Sequence, residues 1–481
     1  MWQHLAALAR ASKRCPKGSR SMRAQVSLVI PSFNSAPLLA RTLSFLARCQ
    51  EPEFEVVVVD DGSTDDTSSV VERAKRRFRS LTYVHRPRDE LSCRARARNV
   101  GIEKSTGDSI VFLDSSVLVS PSFVTQVAAA ARKNPQAMLL HPVLGLFADP
   151  SQLEDGVLCE LAPDNLEEAC RELASRPLWR DVRSGVGPLL SVDPLTARYA
   201  WTLGWTAAMT VSREALLAVD GFDVDFTRWG AEDIDLSYRL WRSGVSFEWV
   251  NVSAIHWPHS VADRSKTSHK DNLRRLHQKW YAGETELTTV LWALECCVFG
   301  PRLERLVIEQ MLPDYSATEL NWLARELRTD SMLLVAPVSP KSIEVLNPSW
   351  TLVPNQLGLE MASSGGTAAR RLQRGLGLDT PFGTAEFSLA VVSDLVRLLP
   401  VELQRAQLGE LKRVARRVLL ATSAGLHPVQ ASLLARAGWE LASDEALQKA
   451  VGADELCFRE IGRHDQLRLM ELCELGTRSS V

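Results

Sequence analysis

At 481 residues the chain is longer than one hydrophobic core ordinarily serves, so two domains or more are expected. Charged residues make up 24% and apolar residues 45%, the balance of a globular protein rather than a disordered or fibrous one. Lys plus Arg number 56 against 58 Asp plus Glu, a net of −2, so whole-chain charge supports no attraction to nucleic acid or to a membrane surface. The nine cysteines are irregularly spaced and include no CxxC pair; only Cys296 and Cys297 are adjacent. That pattern suits reduced thiols in a cytoplasmic protein rather than a disulfide framework or a zinc site. No apolar run reaches the length of a membrane span.

Residues 1–24 carry Arg10, Lys13, Arg14, Lys17, Arg20 and Arg23 and no acid, while Leu5, Leu8 and Ala9 make a patch too short for a secretory signal. A basic, poorly ordered arm is expected, with an organelle transit peptide as its rival. A strand over 26–30 then leads into Pro31-Ser32-Phe33-Asn34, and Ser35 and Pro37 open a helix with Leu39, Leu43 and Leu46 on one face. In the stretch FEVVVVDDGSTDD, Val56 to Val59 read as a strand buried on both faces of a parallel sheet. Asp60 and Asp61 fall at its carboxyl end, where open α/β sheets bind ligands, although ordinary turn caps explain the pair equally well. Gly62, Ser63 and Thr64 supply a turn and an N-cap for a helix over 65–78, with Val70, Val71, Ala74 and Phe78 toward the sheet. Strands over 81–85 and 109–113 follow, the second ending at Asp114. The alternation predicts a parallel, doubly wound sheet.

Between those strands lie Arg86, Arg88, Arg94, Arg96 and Arg98. Arg96 fits a solvated helix face, whereas Arg94 and Arg98, at i and i+4, could flank an anionic ligand such as a diphosphate. Glu232 and Asp233 open a helix running through Leu236 and Leu240, where the helix dipole alone would favour acids.

Taken in order, PSFN, VVDDGSTDDT, RARARNVGI and IVFLDSS, followed by Gly221-Phe222-Asp223 and by WGAEDIDL from Trp229, resemble the motif series of family 2 glycosyltransferases. The resemblance covers residues 25–260. It implies an A-type nucleotide-diphospho-sugar transferase fold, α/β with a Rossmann-like, mostly parallel sheet, and an inverting glycosyltransferase using a UDP-sugar. By the same resemblance Pro31, Phe33 and Asn34 line the base and ribose pocket, and Asp61 accepts from the base, a geometry suited to a ring N–H of uracil. Arg94, Arg98, Asp114 and Ser115 complete the donor side. Asp114 matches the first acid of the family's DxD, but Ser116 stands where the second is expected. A Mn²⁺ or Mg²⁺ ion would then rest on Asp114, on the donor phosphates and on His256, with His259 as the rival ligand. Asp233 matches the general base that takes the acceptor's proton, and Glu232 a ligand of sugar or acceptor hydroxyls. Trp201, Trp205 and Trp229 suggest a sugar-stacking platform, with a tryptophan-rich core as the alternative, and Gly230 joins Trp205 and Trp229 on the acceptor side. Residues 145–200, holding Gly185, Gly187, Pro188 and Pro194, read as a loop-rich insertion bordering the acceptor. That acceptor is a glycan, a peptide or a small metabolite.

These readings divide the chain into the arm, a catalytic domain over 25–285, a helical connector over 286–330 with a seam of Leu303, Leu306, Val307 and Ile308, and a second α/β domain over 331–481. In the second domain strands are expected over 332–336, 387–392, 417–421, 439–441 and 455–461, with helices over 401–416 and 428–437. TPFGTAEFSLAVVSDLVRLLP, KRVARRVLLATS and LLARAGWELASDE resemble class I methyltransferases. The glycine-rich turn such enzymes place after their first strand is replaced by Pro337-Val338-Ser339-Pro340, and prolines remove the N–H donors a ligand would use. The glycines at 365, 366, 375 and 377 come too late to stand in for it. The expectation is a methyltransferase-like domain that binds no S-adenosylmethionine and serves the acceptor side or a homodimer. A bifunctional enzyme and a non-catalytic sugar-nucleotide or glycan-binding scaffold, the latter motivated by Ser116, are the rivals.

Overall fold

A computed structural model describes residues 25–49, 54–146, 160–259, 264–280, 285, 316–335, 340–353, 372–393, 395–399, 401–423, 443–452, 456–465 and 467–474. The basic arm, the seam of Leu303 to Ile308, the turn at Pro337 to Ser339, Gly365 and Gly366, the helix over 428–437 and the strand over 439–441 lie outside these residues. The chain divides into two units, Met1–Leu273 and Arg274–Val481.

The first unit opens with β1 (Val26–Ser32), α1 (Ala36–Leu46), β2 (Phe54–Asp60), α2 (Thr67–Lys75), β3 (Leu81–His85), α3 (Arg94–Lys104) and β4 (Ser109–Leu113). Continuing, β5 (Val117–Leu118), β6 (Ala137–Leu140), β7 (Val143–Leu144), β8 (Ala208–Ser212), α4 (Glu232–Arg242), β9 (Ser246–Trp249), β10 (Ala254–His256) and α5 (Arg264–Trp280) follow, α5 passing from the first unit into the second. The main sheet has the order β3-β2-β1-β4-β8-β6-β9. Its pairs are parallel except at β8, which runs against both neighbours, so the sheet is mixed where a wholly parallel one would have needed another crossover. A small sheet, β5-β10-β7, stands beside it.

The valine run behaves as its composition requires. Val56 and Val58 enter the core on one face of the sheet, and Val57 and Val59 the core on the other. Leu39, Leu43 and Leu46 are buried on α1 against the first of these cores.

Two local expectations change. The second helix begins at Thr67, not at 65, because Asp65 caps two helices at once: its Oδ1 accepts from Thr67 N (3.1 Å) and its Oδ2 from Ala36 N (2.9 Å) at the start of α1. The segment read as a loop-rich insertion is, in its described part from residue 160, a run of short helices locked by a fully buried Arg183. That guanidinium donates to the carbonyls of His141 and Leu203 (2.8 Å each) and pairs with Asp181 at 2.7 Å, while the Trp205 ring lies 4.4 Å from its centre. A charge so enclosed is satisfied by structure and presents nothing to a ligand.

In the second unit a seven-stranded sheet has the order β13 (Leu372–Arg374), β12 (Trp350–Val353), β11 (Met332–Val335), β14 (Phe387–Val392), β15 (Ala415–Ser423), β17 (Leu467–Glu474), β16 (Leu456–His464). The first five are parallel, and β17 is antiparallel to both its neighbours. Strands β12, β13 and β17 are absent from the sequence expectation. The first two are four and three residues long, too short for a periodic signal.

Candidate active site

The carboxyl ends of β1, β2 and β4 meet in the first unit and carry the residues singled out above. Of the two carboxylates after β2, Asp60 is structural: it accepts from Ser63 N at 2.8 Å and from the Tyr83 hydroxyl at 2.6 Å. Burial by itself would raise its pKa, but these hydrogen bonds, with His85, bring it below the usual carboxylate range. Asp61 faces the site. Its Oδ1 accepts from Arg86 at 2.8 Å, and Arg88 lies 3.5 Å from its Oδ2. Burial pushes the Asp61 pKa up against the pull of the two arginines.

Asn34, at the left-handed φ of 46°, ties the turn after β1 to the turn after β2: its N–H donates to Ser63 Oγ (2.9 Å) and its Oδ1 accepts from Thr64 N (2.8 Å). Pro31 lies within β1, paired with Val59, and Phe33 keeps its ring 42% exposed beneath the Arg88 guanidinium at 3.8 Å. Ser115 Oγ meets Ser35 Oγ at 3.2 Å, and its carbonyl accepts from Thr42 (2.9 Å).

Arg94 and Arg98 share a helix, but only Arg98 enters the site. Arg94 is exposed, whereas Arg98 is 1% exposed and donates from Nη1 to Glu232 Oε1 (2.9 Å) and from Nη2 to Asp114 Oδ1 (3.1 Å). One guanidinium therefore joins the carboxylate that ends β4 to the first residue of α4. With both terminal nitrogens on protein carboxylates, Arg98 is not the unpaired cation expected to flank a diphosphate. Its neighbour Asn99 holds the backbone of Phe222 through both amide atoms, 2.8 Å each, so the asparagine of RARARNVGI and the glycine turn before Phe222 serve each other's geometry.

Gly230 (φ 99°) and Ala231 (φ 64°) turn the chain into α4 through two successive left-handed residues. A β-carbon at Gly230 would lie 2.2 Å from His269 Nδ1, so only glycine fits. Glu232 is buried, and besides Arg98 its Oε2 accepts from Gly230 N at 3.0 Å. Asp233 is half-buried, with Oδ1 accepting from Ile234 N (2.9 Å) and Oδ2 from Thr206 N (3.3 Å). Burial, then the Glu232 charge, push its pKa up to about 7, and Arg98 opposes them. A carboxylate in that range is suited to taking a proton near neutrality.

The tryptophan platform is reduced to one ring. Trp201 is fully buried against Tyr238, 4.8 Å between centroids, and Trp205 is buried with its Nε1 donating to the Thr202 carbonyl at 3.0 Å. These two are core residues, because both edges and faces are already in contact with protein. Trp229 is 36% exposed beside His269, 5.3 Å between ring centroids.

His256 ends β10 and is buried, its ring 5.1 Å from that of His259. Burial and His259 push its pKa down to about 4 against the pull of Asp114, so at neutral pH the ring is in the form that binds cations. No group of three His, Cys, Asp or Glu side chains able to cage a metal exists among the described residues. The donor set fits a hard cation only in company with ligand oxygens. Arg86, Arg88 and Thr206 are the site residues that sequence reading missed. The placement of Arg86 follows from strand register: parallel pairing sets His85 beside Asp60, so the residue after β3 emerges beside Asp61.

Among the described residues no helix is long and apolar enough to cross a membrane. The model of glycosyl transferase family 2 matches residues 27–152, and that of the N-terminal domain of galactosyltransferase matches 188–261. A validoxylamine A glucosyltransferase of Streptomyces hygroscopicus subsp. jinggangensis is 36% identical over 259 residues, 52% of this chain and 60% of that protein. A chondroitin synthase of Escherichia coli is 26% identical over 243 residues, 47% of this chain and 33% of that one. The chain thus spans less than two thirds of the length of these relatives. The solved structure of Staphylococcus aureus TarS 1–349 in complex with UDP-GlcNAc is similar at a TM-score of 0.41 and 16% identity, covering 67% of this chain and 81% of that one, too loose a likeness to argue from. Residues 27–152 thus carry the match to glycosyl transferase family 2, and residues 188–261 the match to the galactosyltransferase domain.

Proposed function

We propose that the first unit is an inverting glycosyltransferase that moves a sugar from a UDP-sugar to an acceptor hydroxyl, with Asp233 as general base. The observation that carries the reading is the Arg98 guanidinium joining Asp114 to Glu232, because it sets the donor-side carboxylate and the helix bearing Asp233 around one buried charge. Asp233 takes the acceptor proton, the freed oxygen forms the new bond to the anomeric carbon, and the bond to the diphosphate breaks with its electron pair leaving on the nucleotide. Asp114 and Glu232 are both held by Arg98, which leaves Asp233 as the acid of the group placed to take a proton and supports a single displacement with inversion. Asp114 and His256 would hold a divalent cation together with the donor phosphates, and such an ion would neutralise charge on the leaving diphosphate. Chelation is then expected to lower the rate by about tenfold or more, restored by Mn²⁺. Full activity in chelator would mean that Asp114 acts without a cation.

The reading of the base as uracil rests on hydrogen-bond pattern. Arg86 lies at 2.8 Å from one oxygen of Asp61 and Arg88 at 3.5 Å from the other, and we read this as two donors on either side of one acceptor. Uracil offers the complement, with carbonyl, ring N–H and carbonyl, whereas guanine offers carbonyl and two adjacent N–H groups and would leave an arginine unmatched. The test is release of UDP from UDP-glucose, UDP-galactose and their N-acetyl forms, with GDP-mannose as the control donor. Asp61→Ala should raise the donor KM at least about tenfold, the worth of a charge-assisted hydrogen bond. An unchanged KM, or equal use of the guanosine donor, would move the base pocket elsewhere.

The second unit is read as a methyltransferase-like accessory domain that takes no S-adenosylmethionine and serves the acceptor side or a homodimer. Its order β13-β12-β11-β14-β15 supports a doubly wound α/β sheet with a switch point between β11 and β14. Ser116, on which a non-catalytic scaffold reading rests, is buried, with its carbonyl accepting from Trp257 N at 2.7 Å.

A further inference from the structure

Helix α5 lies beyond both matched segments, yet it contacts the loop that launches α4. Residues 264–273 of α5 belong to the first unit. From this stretch Asn272, buried, directs its Nδ2 at three consecutive carbonyls: Gly230 at 2.7 Å, Arg228 at 3.1 Å and Trp229 at 3.4 Å. One turn earlier the Ser268 hydroxyl donates to the Trp229 carbonyl at 3.2 Å, and His269 fills the space over Gly230 that a β-carbon would take. Asp271 adds an exposed ion pair to Arg228 at 3.7 Å, of little energetic weight.

The loop so held is the one with unfavourable backbone. Ala231 is a non-glycine residue at φ 64°, a conformation that persists only where surrounding contacts over-determine it. Carbonyls of three successive residues converging on one amide nitrogen supply that constraint from outside the loop. On the far side of the turn Gly230 N–H is fixed by Glu232, and the next residue is Asp233. The orientation of the Asp233 carboxylate toward Thr206 therefore depends on the loop that α5 grips.

We propose that Asn272 is a positioning residue for the transfer reaction: by gripping the carbonyls of residues 228–230 it sets the entry of α4 and with it the aim of Asp233, acting on turnover and not on donor binding. The proposal rests on Asp233 being the base. Among the described residues the hydrogen bonds of Asn272 go to Arg228, Trp229 and Gly230, none of them on the donor side, so its loss should leave the nucleotide pocket at Asp61 intact. Ser268 shares the same task through one hydrogen bond and should matter less.

The experiment uses the full chain and UDP-sugar turnover, read as released UDP, for the parent, Asn272→Asp and Ser268→Ala. Aspartate keeps the shape of asparagine but faces the three carbonyls with acceptors only. The expected result for Asn272→Asp is a kcat lower by about tenfold or more, the cost of a misplaced reacting group, with donor KM within about twofold of the parent. Ser268→Ala should lower kcat by a smaller factor, again at constant donor KM, and it covers the case in which Asn272→Asp fails to fold. An unchanged kcat in a folded Asn272→Asp overturns the proposal, as does a donor KM that rises in step with the fall in kcat, or a Ser268→Ala enzyme indistinguishable from the parent. Absence of UDP release by the parent itself, over the whole donor panel, defeats the glycosyltransferase reading first and the proposal with it.

Discussion

Asp233→Asn should bind the UDP-sugar as the parent does and lose about 10² to 10⁴ in turnover, some 3 to 5 kcal/mol of transition-state stabilisation. The amide keeps the shape of the side chain and one of its two backbone hydrogen bonds, from Ile234 N or from Thr206 N, but it cannot accept the acceptor proton. The parent should show an acid limb in kcat/KM, rising as pH is raised through about 7, because protonated Asp233 is inactive as a base. The same shift predicts an opposite effect on stability. A carboxyl whose pKa is 3.8 when unperturbed and about 7 when folded binds its proton more tightly in the native state, so its contribution is full below about pH 4 and is lost as pH rises through 7. Discounted for partial exposure, Asp233→Asn should be more stable than the parent by about 1 to 2 kcal/mol at pH 8 and equal to it at pH 4. Thermal melts at the two pH values check this. A variant within a few-fold of parental turnover would remove Asp233 from the mechanism.

Arg98→Met carries the largest expected effect on folding. The guanidinium is enclosed between Asp114 and Glu232, and both the attraction and the desolvation are strong there. Removing only the cation leaves Glu232 buried with its charge opposed by nothing of equal strength, a loss of about 3 to 5 kcal/mol. Urea denaturation should show the first transition at lower concentration, with the transition of the second unit used as internal reference because a chain of two units need not unfold in one step. Adding Glu232→Gln should recover part of the loss, since the uncompensated charge is then gone. Equal stability of Arg98→Met and the parent would mean that the triad is solvated in solution. Arg98→Lys should fall between them, since an ammonium lacks the planar fork that reaches both carboxylates.

What was legible in the sequence was local. The alternation of buried valines, the strand ends at Asp60, Asp61 and Asp114, and the helix that begins at Glu232 are written in periods of two and 3.6 residues and in cap and turn chemistry, and each is where reading placed it. In the second unit, β14 over Phe387–Val392 matches its expectation residue for residue for the same reason. The local pattern did not separate Asp60 from Asp61, which only the family resemblance told apart, because Tyr83 claims Asp60 once β3 lies beside β2. The partners of Arg98 lie 16 and 134 residues along the chain, and no local pattern separates a guanidinium that will flank a ligand from one that will be sealed between two acids. Trp201, Trp205 and Trp229 look alike as letters; closure of the fold buried two of them and left the third half open. The raised pKa of Asp233 and the grip of Asn272 on the loop before it belong to the same class of facts. Charge, burial and backbone strain depend on what the rest of the chain brings near, and only the tertiary structure decided that.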